Sequence, residues 1–235
     1  RFCAELIDVN IGHKVYDPAS GTGGFLVAAF DRMWSQATSP PAKKQAKESI
    51  HGCDTNPTVW ALAVLNMFFR GDGKSNLIYG SCFDRIDKHA RKFDRVMLNP
   101  PFSQEGEPET QFIDHALASL KAGGEAAIVV PSAILVDDRL RKWRKALVEE
   151  HQVLGVVSLP PDLFYPVAAP TAILILRAHT PDRERGTFLA HVENDGYEIH
   201  KKRRVEREGS QLSEVLKLYR QFVQRGAITT VPGVA

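Results

Sequence analysis

The chain has 235 residues, 43% of them hydrophobic and 25% charged, with a formal net charge of +2 and a pI near 8.4. That is the composition of one globular α/β domain with a sizeable core, and a charge this mild neither requires nor excludes a nucleic-acid partner. No apolar run approaches the roughly eighteen residues of a membrane span and nothing at the amino end resembles a signal peptide, so a soluble, cytoplasmic protein without a membrane partner is expected.

Arg1 to Ile7 ("RFCAELI") reads as an amphipathic segment entered in its middle, so the sequence is taken as a piece whose amino-terminal part is missing. "VYDPASGTGGFL" follows at Val15 to Leu26. A short buried strand ends near Tyr16, and apolar residues at helical spacing begin at Phe25, so Gly21, Gly23 and Gly24 join a strand to a helix. Glycines there let a ligand approach the main chain at the helix N-terminus. A dinucleotide fingerprint needs a further glycine at position 26, which is Leu26. Asp17 at the strand end repels a pyrophosphate and attracts an ammonium or sulfonium.

A proline- and lysine-rich stretch, "SQATSPPAKKQAKES", reads as a surface excursion before a second strand at Ile50 to Cys53. Asp54 stands at that strand's end, and Thr58 to Phe69 is a helix with Pro57 in its first turn. An acid there suits ribose hydroxyls, and it also suits capping of the helix. "RGDGKSN" contains Gly-Lys-Ser, but a P-loop needs glycine where Phe68 stands. Strands at Asn76 to Tyr79, Asp94 to Leu98 and Ala126 to Val130 are predicted, with a helix at Glu109 to Leu120 between the last two. A helix at Asp137 to Glu150 precedes strands at Val153 to Leu159 and Ala172 to Leu176, which flank "PPDLFYPVAAP". Alternating strands and helices predict a doubly wound, mostly parallel, seven-stranded sheet, with ligands beyond the carboxyl ends of its strands.

At the end of the fourth strand stands "NPPF", Asn99 to Phe102. An exocyclic amino nitrogen is a poor nucleophile because its lone pair is delocalised, and acceptors aimed at its two hydrogens favour the tetrahedral, nucleophilic state. The side-chain oxygen of Asn99 and the carbonyl of Pro100 are candidates for those acceptors. Pro100 and Pro101 stiffen the chain, and Phe102 offers a face for a flipped planar base. Cys3, Cys53 and Cys82 form no C-x-x-C and the eight histidines no H-E-x-x-H, so no metal site is expected.

"DPASGTGGFL", "GCDTNP" and "NPPF", in this order and spacing, resemble the motifs of adenine-N6 DNA methyltransferases, specifically the modification subunits of type I restriction-modification systems. "FIDHALASLKAGGEAAIVVP", "LPPDLFYPVAAPTAILIL" and "ENDGYEIHKKRR" extend the resemblance to about residue 205. It implies the fold of S-adenosylmethionine-dependent methyltransferases, with that cofactor held by Asp17, Pro18, Ala19, Ser20, Gly21, Thr22, Gly23 and Gly24, by Asp54, and by Ser81 and Cys82. Asn99, Pro100, Pro101 and Phe102 are implied at the target adenine. Many relatives carry an aspartate where this chain has Ser81, which implies weaker contact with the cofactor's adenine. The segment before the first strand, of which Arg1 to Ile7 is a remnant, is implied to complete the pocket. The implied partners are DNA, a specificity subunit and a restriction subunit. Residues 1–178 are read as the catalytic domain and 179–235 as an extension with a strand at Thr187 to Val192, a basic turn and a helix at Ser210 to Gln224. That helix is a candidate partner contact through Leu212, Val215, Leu216, Tyr219, Phe222 and Val223, or packs on its own domain. Two other readings stay open: a methyltransferase for a protein glutamine or RNA, and a non-catalytic scaffold that binds cofactor or DNA. "RLRKWRK" and "HKKRR" favour a nucleic acid over a protein substrate.

Overall fold

The structure, a computed structural model, describes residues 1–72, 76–102, 108–164 and 169–226, with 86 and 87 described in their backbone alone. Gly73 to Ser75 of the rejected P-loop, Ser103, and Tyr165 to Ala168 of the proline-rich connection lie outside the described residues. The strands are β1 (Val15–Asp17), β2 (Ile50–Asp54), β3 (Asn76–Tyr79), β4 (Phe93–Leu98), β5 (Leu120–Pro131), β6 (Gln152–Ser158), β7 (Thr171–Arg177), β8 (Phe188–His191), β9 (Tyr197–His200) and β10 (Arg203–Glu206). The helices are α1 (Phe2–Leu6), α2 (Gly24–Gln36), α3 (Pro40–Glu48), α4 (Pro57–Phe69), α5 (Ile86–His89), α6 (Glu109–Ser119), α7 (Ala133–Val136), α8 (Arg141–Glu150) and α9 (Leu212–Arg225). Among the described residues no helix is long and apolar enough to cross a membrane.

Eight strands form the main sheet in the order β3-β2-β1-β4-β5-β7-β6-β8, with β7 antiparallel to both its neighbours and every other pair parallel. β1 is short and buried throughout, and it sits between β2 and β4, where the strand order reverses. Strand residues alternate between two cores, as the period of two requires. Val15, Met97, Val129 and Ile173 face α1, α2, α4 and α9, whereas Tyr16, Val96, Leu98, Ile128 and Leu174 face α6 and α8. Each fully buried large side chain of this kind contributes about 1.5–3 kcal/mol.

The strand count differs from expectation by one. Phe188–His191 joins β6 as an eighth strand, paired from Gly155↔Phe188 to Ser158↔His191. Gly155 makes the approach possible, because a Cβ there would stand 3.2 Å from the Phe188 carbonyl oxygen and 3.3 Å from its Cβ. The tail helix α9 turns Val215, Leu216, Leu218, Tyr219 and Phe222 into the core, with Phe188 edge-on to Tyr219 at 5.4 Å between ring centroids. The face considered for a partner is thus buried against this domain.

Two local differences have simple causes. The expected surface excursion contains α3, whose two prolines occupy its first turn, where the missing N–H costs nothing, and whose N-cap Ser39 accepts from the Ala42 N–H at 3.4 Å. The helix expected to run from Asp137 to Glu150 is broken. A 3₁₀ turn at Asp138–Leu140 precedes α8, because the Asp137 carboxylate accepts the Arg139 N–H at 2.9 Å and so caps the start.

Candidate active site

The loop Pro18 to Gly23 leaves the central strand and is held from every side by hydrogen bonds. The Ser20 N–H donates to the Cys53 carbonyl at 2.9 Å, and the Gly23 N–H to the Ser20 carbonyl at 2.8 Å. From beneath, the Cys53 thiol donates to the Pro18 carbonyl at 3.3 Å, and the Tyr16 hydroxyl lies 3.3 Å from Cys53 Sγ and 3.2 Å from His115 Nε2. Burial holds His115 down to about 4, so its ring is neutral near neutral pH. Gly21 (φ 54°) and Gly23 (φ 84°) occupy the left-handed region, and a Cβ on Gly23 would also stand 3.3 Å from Ala63 Cβ on α4.

Two acids organise this loop in different ways. Asp17 is 1% exposed, accepts the Ala19 N–H at 3.1 Å, and is pushed up to about 8, mainly by burial and further by the nearby Asp54. Asp54 accepts the Gly21 N–H at 2.9 Å on one oxygen and the Asn56 N–H at 2.8 Å on the other. Its carboxylate therefore ties the end of β2 to the glycine loop. The cap of α4 is Asn56, whose Oδ1 accepts from Thr58 and Val59 at 3.0 and 3.1 Å.

Asn99 and Pro100 emerge from β4 directly opposite. The Oδ1 of Asn99 is buried and has no hydrogen-bond partner among the described residues. Pro100 is buried, Pro101 exposed, and Phe102 half-buried with its ring edge-on to Phe164 at 5.9 Å and 75°.

Two cavities, of about 570 and 320 Å³, meet along Ala19, Gly21 and Asn99. The larger contains Asp17, Ser20, Thr22 and Gly24 in its wall; the smaller contains Pro18, Asp54, Ser81, Cys82, Pro100 and Pro101. Of the residues singled out in the sequence, Gly23 and Phe102 line neither. Gly23 shapes the turn, and Phe102 packs on Phe164. Arg1 and Phe2, from the segment expected to complete the pocket, also line the larger cavity, together with walls not singled out for it: Phe25, then Leu159, Leu163 and Phe164, and finally Asp195 and Arg204. The prolines of "LPPDLF", directly after an apolar strand, were the available signal for Leu163 and Phe164. Ser81 uses its hydroxyl to accept the Phe83 N–H at 3.2 Å, opening the 3₁₀ turn at Phe83–Arg85.

A doubly wound sheet with an antiparallel β7, a glycine loop after the central strand and acids ending its first two strands has the architecture of the S-adenosylmethionine-dependent methyltransferases. The sequence pattern of the N-6 DNA Methylase family matches residues 1–230, and the chain belongs to that family. It is 34% identical over 213 residues to the type II restriction enzyme and methyltransferase RM.BcgI of Heyndrickxia coagulans, a match covering 84% of this chain and 33% of that protein. It is 27% identical over 222 residues to the type I restriction enzyme EcoEI methylase subunit of Escherichia coli, covering 86% and 45%. Among solved structures, the methyltransferase subunit of a type I restriction-modification system from Streptococcus thermophilus superposes with a TM-score of 0.70 at 22% identity, over 94% of this chain and 52% of that one. The chain thus spans less than half the length of these two curated relatives.

Proposed function

We propose that this chain binds S-adenosylmethionine and transfers its methyl group to the N6 amino group of adenine in DNA, as the modification subunit of a restriction-modification system. The residues present fit the cofactor. Apart from chain neighbours and the backbone of α2 itself, no described residue lies within 4 Å of where a Cβ would stand on Gly21 or Gly24, which leaves the main chain open to a ligand. Asp17, Ser20, Gly21, Thr22 and Gly24 would hold the amino-acid end, with the Asp17 carboxyl offered to a cationic group. Asp54 would hold the ribose with lone pairs its two backbone partners leave unused, and Ser81 and Cys82 would border the cofactor's adenine. When bound, S-adenosylmethionine supplies a methyl group made electrophilic by its sulfonium.

The observation that carries this reading is the buried Oδ1 of Asn99, without a partner among the described residues, where the two cavities meet. A buried acceptor without a donor costs about 1–3 kcal/mol, so the site holds a place for a donor from outside. An exocyclic amino group offers two hydrogens, one for Asn99 Oδ1 and one for the Pro100 carbonyl, and together these acceptors localise the nitrogen lone pair. Leu163 and Phe164 give the larger cavity an apolar wall suited to a base extruded from its stack, with Phe102 packed behind Phe164.

DNA sequence is read by another surface, which we assign to a separate specificity subunit, with a restriction subunit as the further partner. In support of this, β8 and α9 are committed to the domain core, and no helix after β7 stands free among the described residues.

The test is methyl transfer from labelled S-adenosylmethionine to DNA, RNA and protein side by side, using the full-length protein with and without its genomic neighbour. Label recovered as N6-methyladenine in DNA, at a defined site only when the neighbour is present, is expected. Label confined to RNA or protein would overturn the substrate, and site-specific methylation by the subunit alone would overturn the partner.

A further inference from the structure

The β9–β10 hairpin belongs to no other sheet, and its base is clamped. Gln211 Oε1 accepts the N–H groups of Glu193 and Asn194 at 2.8 and 2.9 Å, Asn194 Nδ2 donates to the Glu208 carbonyl at 2.8 Å, and the Arg207 N–H donates to the Gly196 carbonyl at 2.8 Å. Asp195, at that base, forms an ion pair with Arg204 near the tip end of β10, and both line the cavity that contains Asn99, with the Arg204 guanidinium 4.6 Å above the Tyr197 ring.

The tip is built for something other than folding. His200 pairs with Arg203, so Lys201 and Lys202 form a two-residue loop, and both have positive φ (47° and 63°). This is the type I′ arrangement, which favours Asn-Gly and which lysine adopts only under strain. Lys201, Lys202 and Arg203 are exposed and form no ion pair among the described residues, while the acids of the hairpin, Glu198 and Glu206, sit on its strands away from the tip. Strain accepted at a turn whose basic side chains form no ion pair among the described residues points to a ligand for the charges it presents.

We infer that this hairpin is an arm that grips the DNA backbone beside the extruded nucleotide, with Lys201, Lys202 and Arg203 on phosphates. The inference rests on the proposed DNA substrate. A base entering the cavity leaves its flanking phosphates outside it, and Arg204 lines that cavity while remaining partly exposed. The tip lies about 7 Å beyond Arg204 at roughly 3.3 Å per residue, comparable to two nucleotide steps at about 3.4 Å of helix axis each. The partner is a polyanion, and the arm carries no information about base sequence.

The double variant Lys201→Asn/Lys202→Gly tests this, because it removes both charges while installing the residues that the turn geometry prefers. Binding of a fluorescent random-sequence duplex to the full-length protein would be measured across a salt series, alongside thermal melting and calorimetric titration with S-adenosylmethionine. The expected result is an equal or higher melting temperature, unchanged cofactor binding, weaker DNA binding, and a log K against log salt slope shallower by about 1.8, at about 0.9 per phosphate contact. Arg203→Gln should make the slope shallower by about 0.9, and Lys44→Gln/Lys47→Gln on α3, which lines neither cavity, should leave it unchanged. Wild-type binding with an unchanged slope and affinity in the double variant would overturn the arm alone, as would an equal loss from the α3 variant. A wild-type protein that binds no duplex would overturn the arm and the DNA substrate together.

Discussion

Asp54 and Asn99 end neighbouring parts of the same sheet and border the same cavity, yet their side chains are in opposite states. Both oxygens of Asp54 already accept backbone N–H groups, from Gly21 and Asn56, whereas the oxygen of Asn99 is buried with no donor among the described residues. The first residue assembles the site, and the second is reserved for what enters it. Removing an assembler should cost stability and cofactor affinity together. Removing a reserved acceptor should cost only the reaction.

The largest expected effect is therefore at Asn99. Asn99→Ala should lower the rate of methyl transfer by on the order of 10²–10³, the loss typical of one preorganised polar group at a reacting centre. Cofactor affinity should stay near wild type, and the melting temperature should hold or rise, because a buried unsatisfied group has been removed. A melting temperature several degrees lower would show that Asn99 assembles the site as Asp54 does, and the comparison would break.

Asp17 lies between the two states, with one backbone partner and full burial. Its folded value of about 8 exceeds the ordinary carboxylate value of 3.8, so the folded protein holds a proton that the unfolded chain gives up. The stability contributed by that proton is present in full below about 4 and is lost as pH rises through about 8. Asp17→Asn should flatten this dependence and raise the melting temperature most above pH 8. A cationic ligand favours the carboxylate, so its binding should expel one proton, and affinity should rise by about tenfold per pH unit below the folded value before levelling off. Calorimetry in buffers of different ionisation enthalpy measures the proton, and binding without its release would remove Asp17 from the cation.

Much of this contrast was legible in the sequence, because the informative residues follow apolar runs. Asp17 and Asp54 each close a strand and Asn99 directly follows one, and glycines or prolines after them mark the turns. The local pattern did not reveal which of the three side chains the fold itself would satisfy. That depends on a bond from Gly21 to Asp54, spanning thirty-three positions. Nor did it place Asp195 and Arg204 in the cavity of Asp17, since they arrive there through a hairpin clamped by Gln211. The eighth strand was visible as an apolar stretch, Thr187 to Val192, but its pairing with β6 depends on a gap at Gly155 that spacing does not show. Helix α3 was hidden because Ala46 is its one buried residue, too little for an apolar periodicity.

Asp54→Ala should produce the mixed loss that an assembler implies. Two backbone donors lose their acceptor, at about 1–3 kcal/mol for each one left buried, so both the melting temperature and S-adenosylmethionine affinity should fall. Asp54→Asn keeps one acceptor and should recover part of the stability but little of the affinity, since the ribose would meet a weaker acceptor. Equal stability in wild type and Asp54→Ala would mean that the Gly21 loop stands without its latch.

The smallest effect should come from Ser81, whose side chain shares both characters. Its hydroxyl accepts the Phe83 N–H at 3.2 Å, yet it lines the smaller cavity beside Asp54 and Cys82. Ser81→Asp keeps an acceptor for Phe83, since aspartate caps a turn as well as serine does. Under the proposed cofactor placement it would also replace a neutral contact to the cofactor's adenine amino group with a charge-assisted one, a gain of about 1 kcal/mol, or roughly fivefold in affinity. Repulsion from Asp54 opposes that gain, so the net increase should be a few-fold at most and should grow with ionic strength as the repulsion is screened. Titration with S-adenosylmethionine and with methionine separates the contributions, because methionine lacks the adenine and should bind both proteins alike. Tighter binding of both ligands would place the effect in the loop rather than at the adenine, and weaker binding of S-adenosylmethionine would remove Ser81 from the adenine contact.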